Sequence, residues 1–365
     1  MKAILQVADT GPLESLVVML RSVGIDCLLP NEALKRELRS IGCDTVLDIE
    51  SLVKGWGYES PMPLPLASSA DMSRTDVIYF DVKAHRNGPL VTKRWPNLAG
   101  KVCWYRINGG KPEHVIKPSG EDCGDEINPG CPILTPNLWY RDKMCGNPDP
   151  TQGHYNCAGV YTPPPIYAPW RASAYACWPP FHRFNEYSVL RHAPFEAPIC
   201  LIHNLHGWGY GALIPSIRAL GVKCHGVSSP DGLVQHREIP KLLSRAVATV
   251  HLKSSDAPGY ALYESLAAGC PVICSRRLIW RNRMEDLFIP GETCLVFDRE
   301  THDALSPEEV VSCAAEIEGH LEALKEPGYN QAIGQAGRAR LLELMWSKDR
   351  SADVASLSKF MERFR

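Results

Sequence analysis

The sequence predicts an α/β protein of two domains, each built on a parallel sheet. Three observations carry that expectation. The chain has 365 residues, more than one hydrophobic core comfortably organises, so two domains of about 150–200 residues are expected. Short apolar runs alternate with helix-period segments from the amino terminus, and the alternation restarts near residue 198. Residues 249–275 read as a complete strand, loop, helix and strand, with Gly269 placed to end the helix and Pro271 unable to continue it.

Composition narrows the function classes. Hydrophobic residues make up 45% and charged residues 22%, and the formal net charge is −2. These totals exclude a disordered chain and do not suggest a strongly basic polymer binder. The apolar run at the amino terminus is too short for a signal-peptide core, and no stretch approaches the length needed to cross a bilayer. A cytoplasmic protein is expected. Fourteen cysteines without an export signal read as buried thiols in a reducing compartment. Cys123, Cys131, Cys145 and Cys157, near His154, lack a short Cys-x2-Cys pair. A zinc site in this Pro/Gly-rich stretch is one reading of them; scattered thiols are the favoured one, and no metal ligand is assigned.

Taken in order, residues 3–8 form the first strand. Asp9, Thr10, Gly11 and Pro12 follow as a turn into a helix with apolar positions Leu13, Leu16, Val17 and Leu20. That turn falls at the carboxyl edge of a parallel sheet, where α/β proteins bind ligands, which makes Gly11 a candidate on the acceptor side. Gly11 by itself is equally well explained by the turn. A strand at 25–29, a helix at 31–41 and a strand near 45–49 continue the pattern. The Pro-rich stretch 54–71 reads as a loop.

Residues 76–82 form a buried strand that delivers Asp81 and His85 to its carboxyl end, and the strand 101–107 delivers Arg106 and Asn108. Between residues 75 and 119 eight Lys or Arg stand against three Asp or Glu. That excess fits an anionic-ligand face and a solvated loop surface equally well. Residues 110–170 are rich in Pro, Gly, Cys and Asn and lack periodicity, so they read as an irregular insertion. The first domain is placed at 1–190.

The second domain, 191–345, opens with the strand 198–203 and a turn containing Gly207 and Gly209, whose backbone can approach a phosphate. A strand at 222–227 and a short helix at 239–246 lead into 249–275. There the loop 253–259 brings Lys253, Asp256 and the backbone of Gly259, with Tyr260 beside them, to the start of a compact helix from about Ala261. Glu264 lies about one turn inside that helix, eight positions after Asp256. The tail 346–365 is helical and is expected to pack across the two domains.

The acidic pair Asp256 and Glu264, followed by Gly269, Pro271 and Val272, resembles the acid-x7-Glu motif of retaining GT-B glycosyltransferases of the glycosyltransferase family 4 type. Asp256 stands where that family more usually has Glu, and the family's Arg and Lys near residue 207 are absent here. The resemblance implies a GT-B fold, two Rossmann-like domains facing across a cleft. It implies a nucleotide-sugar donor, no metal and no cofactor, and transfer of a hexosyl or pentosyl group with retention. Glu264 would hold the donor's ribose and Asp256 would contact the transferred sugar. Lys253, Tyr260, Gly259, Gly207 and Gly209 would complete the donor side. Asp81 or His85 would act from the acceptor side as general base or sugar-orienting group; the acceptor itself is not read from the sequence, with carbohydrate and DNA as the two candidates. A viral-type DNA-base glycosyltransferase, a nucleotide-sugar epimerase and a non-catalytic nucleotide- or sugar-binding module are the alternative readings.

Overall fold

The computed structural model of the chain describes residues 1–7, 10–43, 64–82, 84–105, 133–134, 187, 191, 194–201, 210–226, 229–235, 238–253, 260–281, 284–298, 305–344 and 351–364. These residues fall into two units. One contains the described residues up to 134 together with 351–364, and the other contains those from 187 to 344.

The first unit holds β1 (Lys2–Gln6), β2 (Asp26–Pro30), β3 (Leu66–Ala67), β4 (Val77–Asp81), β5 (Val102–Tyr105) and β6 (Ile133–Leu134), ordered β3-β2-β1-β4-β5-β6. Every pairing in the sheet is parallel. Because successive side chains of a strand point to opposite faces, the strands sort their apolar residues into two cores. Ala3, Leu5, Cys27, Leu29, Ile78 and Phe80 pack on one face, under α1 (Thr10–Ser22). Ile4, Leu28, Val77, Tyr79 and Val102 pack on the other, under α2 (Glu32–Ser40) and α4 (Ala84–Arg94), with the short α3 (Ser69–Met72) contributing Met72. Asn31 caps α2 by accepting from the Leu34 amide at 2.8 Å.

Three expectations change here. The carboxyl part of the presumed loop 54–71 is core: Ala67 is buried in β3, and α3 follows it. Pro65 cannot donate a backbone hydrogen bond, but its carbonyl accepts from Leu29 at 3.0 Å, and β3 is an edge strand, where proline is tolerated. Residues 84–94 form a helix that the sequence reading did not name, because Gly88 and Pro89 disguise it; Pro89 lies inside the helix. Helix α1 begins at Thr10, so Gly11 belongs to its first turn and not to a preceding loop. The expected strand 45–49 lies outside the described residues. Within the stretch read as an irregular insertion, Ile133–Leu134 pairs with β5.

The second unit holds β7 (Ile199–Leu201), β8 (Lys223–His225), β9 (Thr249–His251), β10 (Val272–Ser275) and β11 (Leu295–Phe297), ordered β11-β10-β9-β7-β8 and again parallel. Its helices are α5 (Ile214–Ala219), α6 (Ile239–Arg245), α7 (Tyr260–Ala267), α8 (Arg276–Arg281), α9 (Pro307–Ala323) and α10 (Pro327–Leu342). Leu201, Val272 and Cys274 face one core with α6 and α7, while Cys200, Val250 and Ile273 face another with α5 and α9. A capping box between Ser306 and Glu309 starts α9.

The last helix, α11 (Ser351–Met361), places Leu357, Phe360 and Met361 in the same core as Leu16 and Val17 of α1. All nine cysteines that the described residues contribute as free thiols are buried. Among the described residues no helix is long and apolar enough to cross a membrane, and no cluster of metal-binding side chains occurs.

Candidate functional site

In open parallel sheets the order of strands reverses at one point, and the strand ends beside that reversal form a crevice for ligands. In the second unit the reversal separates β7 from β9. The chain leaving β9 runs through Leu252 and Lys253 and re-enters as α7, so the stretch singled out in the sequence lies at this edge.

The local geometry follows from residue types. Gly269 has φ 67°, the left-handed conformation that ends α7, and its amide donates to the Leu266 carbonyl at 2.9 Å. The next amide, that of Cys270, reaches back to Ser265 at 2.8 Å, and the Pro271 carbonyl accepts from Thr249 at 2.8 Å, which aligns β10 beside β9. The Ser265 hydroxyl donates to Thr249 Oγ1 at 2.9 Å, pinning the inner face of α7 to β9. The strand, helix and strand are therefore held as one block.

Glu264 sits in that block and is 5% exposed. A carboxylate so deeply placed needs hydrogen-bond donors. The phenolic O–H of Tyr187, itself fully buried, donates to Glu264 Oε1 at 2.8 Å. Arg338 of α10 donates through Nη1 to the carbonyls of Tyr187, at 2.9 Å, and of Ala267, at the end of α7. Burial lowers the Arg338 pKa.

Helix α10 reaches this position because it carries two glycines where it meets α7. A Cβ at Gly334 would collide with the Gly269 carbonyl oxygen, and one at Gly337 would stand 2.7 Å from Leu266 Cδ2 and 2.9 Å from the Thr293 carbonyl oxygen. Beside them, Arg191 donates to the Leu243 carbonyl at 3.2 Å, to the Ala246 carbonyl at 2.8 Å and to Asn330 Oδ1 at 3.0 Å, tying α6 to α10.

Lys253 is half-buried at the end of β9. Its charge is felt at Cys200 on the neighbouring strand, where burial first and the Cys224 thiol second push the Cys200 pKa up and Lys253 opposes them. A cation thus stands at the strand end next to the reversal point. Tyr260 is the first residue of α7. Asp256, Gly259, Gly207 and Gly209 lie outside the described residues.

In the first unit the reversal separates β1 from β4, and their last residues, Gln6 and Asp81, are register partners. Asp81 is 1% exposed and accepts from Asn87 Nδ2 of α4 at 2.8 Å and from the Tyr79 hydroxyl at 3.3 Å. Its negative charge adds to the burial that pushes the Cys43 thiol up to about 12. These bonds anchor the start of α4 to the sheet edge, and His85 is the second residue of that helix. Gly11 is the second residue of α1, the helix that follows β1. Arg106 and Asn108 lie outside the described residues.

The structure thus brings Lys253, Tyr260 and Glu264 together on one strand, helix and strand block of the second unit. Asp81, His85 and Gly11 share the carboxyl edge of the first unit's sheet. The sequence reading missed Tyr187 and Arg338. Tyr187 lies 77 positions before Glu264, with no motif linking them, whereas the Gly334-x-x-Gly337 spacing on α10 is a visible sign of close helix packing. A cleft of 710 Å³ between Pro194, Pro198, Leu220, Val247 and Leu321 lies at the amino-terminal ends of β7 and β9, opposite to the edge that carries Lys253.

Comparisons with known proteins agree with this architecture. A family model described as "Glycosyl transferase-like" matches residues 211–355, which include α7 and β10. No curated protein sequence matches the chain. Among solved structures, HepE of Anabaena in complex with UDP-glucose superposes with a TM-score of 0.57 at 11% identity, covering 99% of each chain. Sucrose-phosphate synthase of Thermosynechococcus elongatus gives a TM-score of 0.54 at 12% identity, over 99% of this chain and 98% of that one. A glycosyltransferase of Rickettsia africae gives 0.52 at 11% identity, over 98% and 97%. With two doubly wound parallel sheets that match glycosyltransferase structures over nearly its whole length, the chain has the GT-B fold.

Proposed function

We propose that this protein is a glycosyltransferase that moves a sugar from a nucleotide-sugar donor to an acceptor hydroxyl, with retention of anomeric configuration. The observation that carries the reading is Glu264: a buried carboxylate held by a tyrosine hydroxyl, on a helix that starts at the carboxyl edge of a parallel sheet and follows a cation-bearing strand end. The match of residues 211–355 to a glycosyl-transferase-like family supports it.

In this reading Glu264 accepts hydrogen bonds from the ribose hydroxyls of the donor. Lys253 and the backbone amides near Gly259 offset the charge of the diphosphate, as a helix start and a nearby cation do for anions. Gly207 and Gly209 let the backbone approach the same group, Tyr260 borders it, and Asp256 contacts the transferred sugar. As the bond between the sugar's anomeric carbon and the diphosphate oxygen breaks, negative charge grows on the leaving group. Positive potential there is the main stabilisation the protein supplies. The acceptor oxygen bonds to the anomeric carbon, and its proton passes to the departing phosphate oxygen. Asp81 and His85, with Gly11, Arg106 and Asn108, form the acceptor side. The acceptor is a carbohydrate or DNA, and neither a metal nor a cofactor is required.

A thermal-shift panel of UDP, ADP, GDP and their sugar conjugates tests the assignment, beginning with UDP-glucose, the ligand that HepE binds in its crystal structure. One base is expected to stabilise the protein, by about 2.7 kcal/mol at a hundred times its dissociation constant. Glu264→Gln is expected to remove most of that gain. Absence of stabilisation by every nucleotide, or an equal response in the variant, overturns the proposal.

A further inference from the structure

We infer that Tyr187 is a positioning residue that fixes the Glu264 carboxylate against the ribose diol and thereby sets the preference of the donor site for ribonucleotides over 2′-deoxyribonucleotides. The inference rests on the nucleotide-sugar reading above and assigns a role that the acidic motif itself does not contain.

The geometry is specific. Tyr187 is fully buried in the same core as Leu262 and Leu266 of α7, so its ring is held by packing on the helix that bears Glu264. Its O–H donates to Oε1 of Glu264 at 2.8 Å. Its main-chain carbonyl accepts from Arg338, whose same nitrogen binds the Ala267 carbonyl at the end of α7. Tyr187 is thus attached to α7 directly by its side chain and, through Arg338 of α10, by its backbone. A phenylalanine would fill the same space without the polar link. A buried phenol is retained where its O–H has a partner, and here the partner is a carboxylate, the stronger kind of acceptor.

The consequence for recognition follows from the carboxylate's valence. A carboxylate accepts through two oxygens in one plane, and a ribose presents two adjacent O–H donors. Once Tyr187 fixes Oε1, the plane of the carboxylate is set, and with it the directions in which both hydroxyls must donate. Without that bond the carboxylate loses one of the contacts that set its plane, and the diol loses part of its advantage over a single hydroxyl.

The test measures binding of UDP, ADP and GDP and of their 2′-deoxy counterparts by calorimetry. It uses the wild type, Tyr187→Phe, Glu264→Gln and the double variant, each checked for its melting temperature. The wild type is expected to favour the ribo form about tenfold or more, one good hydrogen bond to a charged group. In Tyr187→Phe the ribo form should weaken about five- to tenfold, a net hydrogen bond's worth, while the deoxy form changes less than about twofold. In the Glu264→Gln background the tyrosine substitution should add nothing, since the two residues act as one unit. Equal weakening of both forms marks a purely structural tyrosine and overturns the inference, as does an unchanged ratio. A wild type that binds but does not discriminate overturns it without recourse to any variant. If the wild type binds none of these nucleotides, the donor-site reading fails and the inference falls with it. If the wild type binds and Glu264→Gln weakens binding while Tyr187→Phe keeps the ratio, only the positioning role is lost.

Discussion

At the scale of single residues, buried ionisable groups set both the candidate chemistry and a pH limit. Glu264 was legible in the sequence because its neighbours at fixed spacing, Gly269 and Pro271, mark the end of its helix. Tyr187 was not, because a hydrogen bond across 77 positions leaves no local trace. Cys27 and Cys43 show the pH limit. Burial pushes each thiol from an ordinary value of 9.0 up to about 12, Arg21 partly opposing the shift at Cys27 and the Asp81 charge adding to it at Cys43. The native state keeps these protons where the unfolded chain has released them. The stability they represent is therefore complete below pH 9 and is lost as pH rises toward 12. Urea unfolding at pH 8 and pH 10.5 should give a clearly lower midpoint at the higher pH. The drop between the two should be smaller in Cys27→Ala, whatever that variant's stability at pH 8.

At the scale of elements, the decisive contact is the docking of α10 on α7. Gly334 and Gly337 let the two backbones approach closely, and the approach brings Arg338 onto the carbonyls of Tyr187 and Ala267. Gly334→Ala should force α10 away and cost about 1–3 kcal/mol, the usual range for overpacking. On the proposed donor site, nucleotide binding should weaken with it, because the packing of α7 changes. Gly319 in α9 is the control: an added Cβ there meets no heavy atom within 4 Å. Gly319→Ala should stabilise by about 0.4–1 kcal/mol through the unfolded chain's lost freedom. Chemical denaturation of both variants checks the opposite signs. Among elements, β4, β9, α7 and β10 were readable from their apolar runs and their stop signals. Helix α4 was not, because Pro89 inside it imitates a boundary. Strand β3 was not either, because its short pairing is decided by β2 and not by its own residues.

At the scale of the whole molecule, the last helix belongs to the core of the unit that contains the first strand. Phe360 and Phe364 meet edge to face, with centroids 5.6 Å apart, among residues of β1, β2 and α1. Phe360→Ala should cost about 3–5 kcal/mol, as buried phenylalanines do. Hydrogen exchange should show the loss in β1 and α1, whereas β9 and β10, which pack in cores of their own, keep their protection. A uniform loss across both sheets would show that the cores are not independent.

The sequence by itself determined the α/β class, the two-part organisation of alternating strands and helices, and the placing of Glu264 on a short helix stopped by Gly269. Those features are local: hydrophobic period, left-handed glycine and proline's missing donor act between residues a few positions apart. The tertiary structure alone decided the order β3-β2-β1-β4-β5-β6 and its counterpart β11-β10-β9-β7-β8. It alone decided which partners reach the buried carboxylates, Tyr187 at Glu264 and Asn87 with Tyr79 at Asp81. Strand order and buried pairing are set by the sum of many weak contacts between distant segments, competing against chain entropy, and no single stretch of the sequence contains that sum.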